Sequence, residues 1–421
     1  RTLWRCSVRN SEVKCSSTVI QQGNVYTPGL HRHIHPPKQA EIHRRLLHKE
    51  LKIQAKSRPL AGGMDIAEGV LLQRGLAYPA RTETLKRMAN RVREADRPKE
   101  PRTLDFNLNE NFLPEDFLIA DVNRGGRSLI FATQQQLQLL SRARMWFIDA
   151  TFQVVRVPFY QLLVIHAYHE NGGSIKQVPL AYVLMSSKRK AAYRGAFQDL
   201  KSALPGPAAV EEIMIDFEAA LWKVLPRCFP QARLSGCNFH WKQAVFRKVQ
   251  ALGLAAMYTR DEEKRLLLQQ VMALPFLPIA EVVPAFEQLR QQSDTPSLDE
   301  LFVYVERTWL QNQTWPIAAW CMYGKAIRTN NNAEGYNNRL SRKAGGRSMG
   351  PYQLARLLHR EALLTDLTVR MVDRHLITRR QRQLTRTMQA RVFRAWEAHR
   401  DGEKTAQELL QVCALTYGHA P

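Results

Sequence analysis

Residues 145–185, MWFIDATFQVVRVPFYQLLVIHAYHENGGSIKQVPLAYVLM, decide the fold. Their apolar content comes in short runs of Ile, Phe, Val and Tyr bounded by turn residues, and Asn171-Gly172-Gly173 separates two such runs, which predicts a β-hairpin at that turn. The first run, Trp146-Phe147-Ile148-Asp149, closes on an aspartate, and Ile213-Met214-Ile215-Asp216 repeats the pattern farther along. A run apolar on both faces reads as a central strand of a covered sheet. In open α/β sheets, ligand sites lie beyond the carboxyl ends of such strands. Two carboxylates there repel each other unless a cation lies between them, and oxygen donors of this kind suit Mg²⁺ or Mn²⁺. For Asp216 the alternative is a helix N-cap ahead of Phe217-Glu218-Ala219-Ala220.

Working outward, Ser128 to Phe131 is a further β-like run, and 178–185 is followed by a helical stretch at about 190–203. Then come a strand ending at Asp216, a helix at about 217–225, a short strand near 232–235 and a helix from Cys237. Strands first, then alternation, predict an α/β fold: a mixed sheet with helices on its faces. From about 252 to 323 helical spacing takes over, as in Leu266, Leu267, Val271 and then Val283, Phe286, Leu289, so an all-α insertion is expected. From Ala333 onward the pattern is again helical. Ahead of the sheet, a basic helix is expected from Gln39 to about Ser57. The mixed stretch 58–116, with the linker-like Arg97-Pro98-Lys99-Glu100-Pro101-Arg102, is expected to start no core.

The chain has 421 residues, which at roughly 150 per domain suggests two to three structural units. Its 61 Lys and Arg against 38 Asp and Glu leave a net charge of +23, so a polyanion, nucleic acid first, is the expected partner. With 45% hydrophobic and 24% charged residues, this charge is laid over a folded chain, which excludes disorder as the main state. Residues 159–167 are interrupted by Gln161 and His166 and fall short of the roughly 20 residues a membrane span needs, so no span is expected. Six cysteines at 6, 15, 228, 237, 321 and 413 are too sparse for a disulfide framework and fit a reducing compartment, cytosol or nucleus. The sequence opens on Arg1 without a secretory-signal pattern, and the natural chain is expected to begin further upstream.

Four further constellations carry chemistry. Cys6, Cys15, His33 and His35 make a complete tetrahedral Zn²⁺ set in a segment so poor in apolar residues that a metal is needed to fold it, with His31 as a competing ligand. Glu334 lies among five amides in Asn330-Asn331-Asn332-Ala333-Glu334-Gly335-Tyr336-Asn337-Asn338. It is either a third acid or a residue favouring a helix N-terminus, although Gly335 costs such a helix stability without an evident return. Cys237 and His240 begin a helix three residues apart on one face, as a buried structural pair or as half of a metal site. Residues 378–400, finally, read as an amphipathic helix, with Leu384, Met388, Val392 and Trp396 along one side and Arg379, Arg380, Arg382 and Arg386 among the arginines elsewhere. These four arginines are candidate DNA contacts; the alternative is a solvated face.

Taken together, the residues resemble a Mutator-like element (MULE) transposase carrying a FLYWCH-type zinc finger. The finger resemblance rests on Trp4-Arg5-Cys6, Cys15 and His33-Ile34-His35-Pro36-Pro37. Arg1, Thr2 and Leu3 stand where the family has Phe, Leu and Tyr, so only a partial finger is expected. The transposase resemblance runs from about 104 to 363 through WFIDATFQVVRVPFYQLLVIHA, VPLAYVLMSSK, IMIDFEAAL, GCNFHWKQAV, WPIAAWCMY and RTNNNAEGYNNRL in family order. It implies an RNase H-like core whose acid triad falls on Asp149, Asp216 and Glu334, with Mg²⁺ or Mn²⁺ as catalytic cofactor and Zn²⁺ in the finger. The family's Cys-x-x-His motif falls on Cys237 and His240, in a structural or DNA-positioning role. The implied activity is cleavage and strand transfer of double-stranded DNA, at the terminal repeats of a mobile element and in target DNA, by a homo-oligomer in the nucleus. The alternative is a domesticated or inactive DNA-binding descendant with the same fold. The expected organisation is a partial finger (1–37), a basic helical segment and linker (38–127), a catalytic core (128–251 and 326–365) around the helical insertion (252–325), and a basic helical C-terminus (366–421).

Overall fold

The computed structural model describes residues 1–37, 39–58, 61–74, 81–95, 98–376 and 383–417. The chain forms two compact units, Arg1–Arg97 and Pro98–Pro421.

In the first unit, β1 (Thr2–Arg5), β2 (Thr18–Gln22) and β3 (Val25–Pro28) form an antiparallel sheet in that order. They are followed by α1 (Gln39–Ser57), α2 (Gly63–Arg74) and α3 (Thr82–Ala95). Leu47, Leu51 and Ala55 recur every four residues on α1 and are buried with Ile66, Ala67, Val70, Leu85 and Ala89. This corrects the expectation that no core starts between 58 and 116. This core takes residues from all three helices, with none of them enclosing it alone.

The second unit is built on seven strands: β4 (Leu118–Asn123), β5 (Arg127–Phe131), β6 (Met145–Thr151), β7 (Gln161–Asn171), β8 (Ser174–Met185), β9 (Glu212–Ile215) and β10 (Arg233–Gly236). Their order is β10-β9-β6-β7-β8-β5-β4; β6, β9 and β10 run parallel and the other pairings are antiparallel. The expected hairpin joins β7 to β8, with Gly172 and Gly173 at φ 52° and 85°, a backbone that L side chains resist. The sheet starts earlier than expected, at Leu118. β4 is a half-exposed edge strand whose mixed residues carry little β signal.

Helices α4 (Gln134–Arg142), α5 (Lys190–Ala203) and α6 (Ala219–Cys228) connect strands, and α7 (Asn238–Ala251) leads from β10 into the helices that follow. Trp146, Ile148, Ile213 and Ile215 share one core with Tyr193, Phe197 and Leu200 of α5 and Leu221 and Leu225 of α6. The expected insertion is helical: α8 (Ala255–Arg260), α9 (Glu262–Ala273), α10 (Ile279–Arg290), α11 (Pro296–Val305) and α12 (Ile317–Trp320). It is followed by α13 (Asn331–Lys343), α14 (Pro351–Asp373), α15 (Gln383–Arg400) and α16 (Ala406–Tyr417).

Two features differ from the expected organisation. The 365/366 boundary falls inside α14, and α15 and α16 complete the insertion's core: Val392, Trp396, Leu410 and Cys413 are buried with Leu267, Val271, Phe286 and Phe302. The apolar side of α15 thus packs on protein, while Arg386, Arg391, Arg394 and Arg400 are exposed. Arg379, Arg380 and Arg382 lie outside the described residues. Among the described residues no helix is long and apolar enough to cross a membrane.

Candidate active site

Strand parity aims the two aspartates. Side chains alternate across a strand, so Phe147 and Asp149 share one face of β6, opposite Trp146 and Ile148. Because β6 and β9 pair in parallel with Phe147 beside Met214, the Met214–Asp216 side lies on the same face of the sheet. Phe147, Met214 and Cys237 form a small buried cluster there, bordered by Phe239 and Ile327. Asp149 is 7% exposed, whereas the Asp216 side chain, one residue past β9, is about half exposed. Asp216 is not the N-cap of the following helix: α6 starts at Ala219 with Glu218 as its cap residue, and Asp216 Oδ1 instead accepts the Phe217 N–H at 2.6 Å.

Two helix starts close this face. Cys237 caps α7, and the Asn238 N–H donates to the Arg328 carbonyl while the Asn330 N–H donates to Cys237 Sγ at 3.3 Å, tying the start of α7 to that of α13. The same helical face of α13 carries Glu334 and, three residues on, Asn337, whose Nδ2 donates to Asp149 Oδ2 at 2.7 Å. From α7 comes His240, with Nδ1 3.9 Å from Asp216 Oδ1. Behind it Trp241 stacks on Trp320 at 5.5 Å and leans on Trp309, anchoring α7 to the insertion. Gly236 completes the arrangement, since a Cβ there would lie 2.2 Å from the Phe217 ring. Only glycine leaves room for the ring that follows Asp216 to turn inward.

Cys237, His240 and Glu334 are brought together, with one ligand atom of each within 4.8 Å of the others. Asp149 and Asp216 join them electrostatically. Burial pushes the Asp149 carboxyl up to about 6, where the charge of His240 opposes and that of Asp216 adds to the rise. Burial likewise pushes Glu334 up to about 7, opposed by His240 and reinforced by both aspartates. Burial alone would lower His240, but the Cys237 sulfur and the Asp216 and Asp149 carboxylates outweigh it and hold the imidazole up at about 10. Neither aspartate belongs to the group of ligand atoms that Glu334 shares with Cys237 and His240; what favours a cation here is that Glu334 Oε1 is buried without a hydrogen-bond partner while the aspartates add to the rise of its carboxyl.

The other expected ligands also meet. In the first unit Cys6 Sγ lies 3.2 Å from His35 Nε2, Cys15 Sγ 3.5 Å from His33 Nδ1, and the two imidazole nitrogens 3.3 Å apart. Four ligands around one Zn²⁺ stand roughly 3.3–3.8 Å from each other. His35 Nδ1–H donates to the Pro36 carbonyl at 3.0 Å, which leaves Nε2 with its lone pair facing the cluster. His31 is not part of this group. Cys228 is buried in the sheet's core and Cys321 Sγ faces the Leu277 carbonyl, so neither adds a ligand to Cys237 and His240.

Residues 145–244 match the MULE transposase domain. The match supports a Mutator-like transposase and a transposase-type enzyme. It takes in Asp149, Asp216, Cys237 and His240; Glu334 lies beyond it. Comparison of the chain with curated proteins gives no match. Sequence reasoning missed Asn337 as the partner of Asp149, although its place one turn after Glu334 was a usable signal. It also missed Glu334 as the companion of Cys237 and His240, which no spacing rule reaches across an insertion.

Proposed function

We propose that this protein is a metal-dependent DNA transposase of the Mutator-like type, which cuts element ends and joins them to target DNA with Asp149, Asp216 and Glu334 as its catalytic carboxylates. The observation that carries the reading is geometric: α13 holds Asp149 through Asn337 at 2.7 Å, and His240, which shares a ligand group with Glu334, stands 3.9 Å from Asp216. An RNase H-like core is supported by the order β10-β9-β6-β7-β8, in which β6 has an antiparallel hairpin partner on one side and two parallel strands on the other.

Asp149, Asp216 and Glu334 would hold Mg²⁺ or Mn²⁺, which when bound activates a water or DNA 3′-hydroxyl and stabilises the leaving oxygen of an in-line displacement at phosphorus. The chain's own residues do the rest. Asn337 fixes the rotamer of Asp149 through its 2.7 Å hydrogen bond. His240 supplies a positive charge among the carboxylates and keeps them close before any cation arrives. Cys237 sets the start of α7, and so the position of His240. In the first unit, Cys6, Cys15, His33 and His35 would hold Zn²⁺ in a FLYWCH-type finger that contacts DNA. Double-stranded DNA as partner, a homo-oligomeric assembly and a nuclear location belong to the same reading.

The test is incubation of purified protein with Mg²⁺ or Mn²⁺ and duplexes carrying the flanking element's ends, scored for end nicking. Wild type should nick, and Asp149→Asn should abolish nicking while leaving duplex affinity nearly intact. Nicking that persists in Asp149→Asn, or wild type inert with both ions, refutes the reading.

A further inference from the structure

The helices that close the acid face have a second face. On α13, Glu334 and Asn337 look toward Asp149, while Gly335 and Arg339, four apart, lie on the other side. On α7, Cys237 and His240 look toward the acids, while Asn238 and Lys242 do not. The residues that turn away line a cleft of about 900 Å³.

Its lining is cationic, amide-bearing and aromatic. Glu361, the acid of the lining, is already engaged by Arg339 at 3.1 Å and by Lys343. Lys242 is partly buried and has no ion-pair or hydrogen-bond partner among the described residues. Arg328 is 9% exposed; it donates to the Lys325 carbonyl and the Tyr417 hydroxyl, lies 5.0 Å over the Tyr417 ring, and has no carboxylate within ion-pair distance among the described residues. A buried guanidinium without an anion is costly unless an anion arrives. Both α7 and α13 begin without a side-chain cap; the Asn238 N–H is taken by the Arg328 carbonyl, and the remaining first-turn N–H groups of the two helices add partial positive charge. Phe239 and Tyr168 offer ring surface, and Asn238 and Gln177 offer amides.

Gly335 belongs to this cleft. It stands in the first turns of α13 where glycine costs stability, its φ is ordinary, and an added Cβ would meet nothing within 4 Å. Packing does not require it. What the missing side chain leaves is open helix backbone in the wall of the cleft, the use of glycine where a ligand approaches closely.

We propose that this cleft binds an unpaired DNA strand, with a phosphate between Lys242, Arg328 and the two helix starts and bases against Phe239 and Tyr168. The proposal rests on the transposase reading for its choice of nucleic acid. Cations that follow the backbone, combined with aromatic rings, suit single strands, because base faces are free to stack only when unpaired. The cleft's volume is within the range of a small-ligand pocket.

The test is fluorescence anisotropy with the full chain in EDTA, using a labelled single-stranded oligonucleotide and the duplex of the same sequence. Gly335→Glu, which puts a carboxylate into the cleft, and Lys242→Gln should each weaken single-strand binding at least about tenfold, with less than about a threefold change for duplex. Gly335→Ala should bind as wild type, and thermal melts check that each variant folds. Single-strand affinity unchanged in both variants, or single-strand and duplex affinities falling alike, overturns the proposal. Since no divalent ion is present, the two readings fail separately. A protein that never nicks DNA but loses single-strand binding in these variants refutes catalysis alone, and an active protein whose variants bind single strands normally refutes the cleft alone.

Discussion

Replacing Asp149 by Asn should make the metal-free protein more stable at pH 8 while destroying its activity. The carboxyl is raised from its ordinary 3.8 to about 6 by burial, which corresponds to about 3 kcal/mol at 1.36 kcal/mol per pH unit. The sign follows from proton binding. A carboxyl whose folded value exceeds its unfolded one holds more protons folded than unfolded, so stability falls as pH rises. The penalty is absent below about 4, grows between about 4 and 6, and is complete above that. The amide introduced by the substitution would still accept from Asn337 and would carry no charge. Urea denaturation in EDTA should therefore show the variant ahead of wild type by about 2–3 kcal/mol at pH 8, a sizeable part of a typical 5–15 kcal/mol total, with the gap closing toward pH 4. Adding Mg²⁺ should close most or all of that gap, since a ligand at a hundred times its Kd stabilises the protein that binds it by about 2.7 kcal/mol. A variant less stable than wild type at pH 8 in EDTA, or a gap that does not change with pH, would refute the claim that Asp149 is a strained, buried carboxylate awaiting a cation.

Three other outcomes are expected. Gly236→Ala drives a methyl group into the Phe217 ring and should cost about 1–3 kcal/mol by denaturation and lower nicking, because the ring's neighbour is Asp216; a variant as stable and active as wild type would show that the loop relaxes freely. Cys15→Ser should reduce bound zinc by one ion per chain in elemental analysis, and an unchanged metal content would dissociate the N-terminal cluster from zinc. Replacing Arg379, Arg380, Arg382 and Arg386 together by Ala should weaken binding to any duplex alike and flatten the slope of log affinity against log salt by up to about 3.6, at about 0.9 per phosphate contact; an unchanged slope assigns these arginines elsewhere.

The sheet was legible because its strands carry their own pattern. Trp146 to Asp149 and Ile213 to Asp216 read as covered strands inside a sheet, and both are interior strands, paired in parallel. Asn171-Gly172-Gly173 read as a hairpin turn because its glycines supply the positive φ the turn needs. Helix α5 was readable over its full length. What escaped depends on contacts between distant segments. The three helices of the first unit share a core that no one of them signals alone, and the apolar side of α15 gives no hint that its partner is the insertion. Arg328 is the sharpest case. In sequence it is one more surface cation, and only the rings of Phe276, Trp396 and Tyr417, from far along the chain, make it a buried one. Within the acid group, the aspartates were visible at strand ends, whereas the hydrogen bond from Asn337 exists only because α13 lies across β6.

The burial of α15 and α16 in the insertion's core also bears on the order in which a ribosome delivers the chain. Asp149, Asp216 and Glu334 all emerge before Gln383, yet the Tyr417 hydroxyl that receives Arg328, two residues ahead of the Asn330 at the start of α13, is made after all of them. A nascent polypeptide therefore carries every acid for some time before the support of the third is in place. A chain ended before Gln383 would hold all three acids without the two helices that complete the insertion's core and without the hydroxyl that receives Arg328.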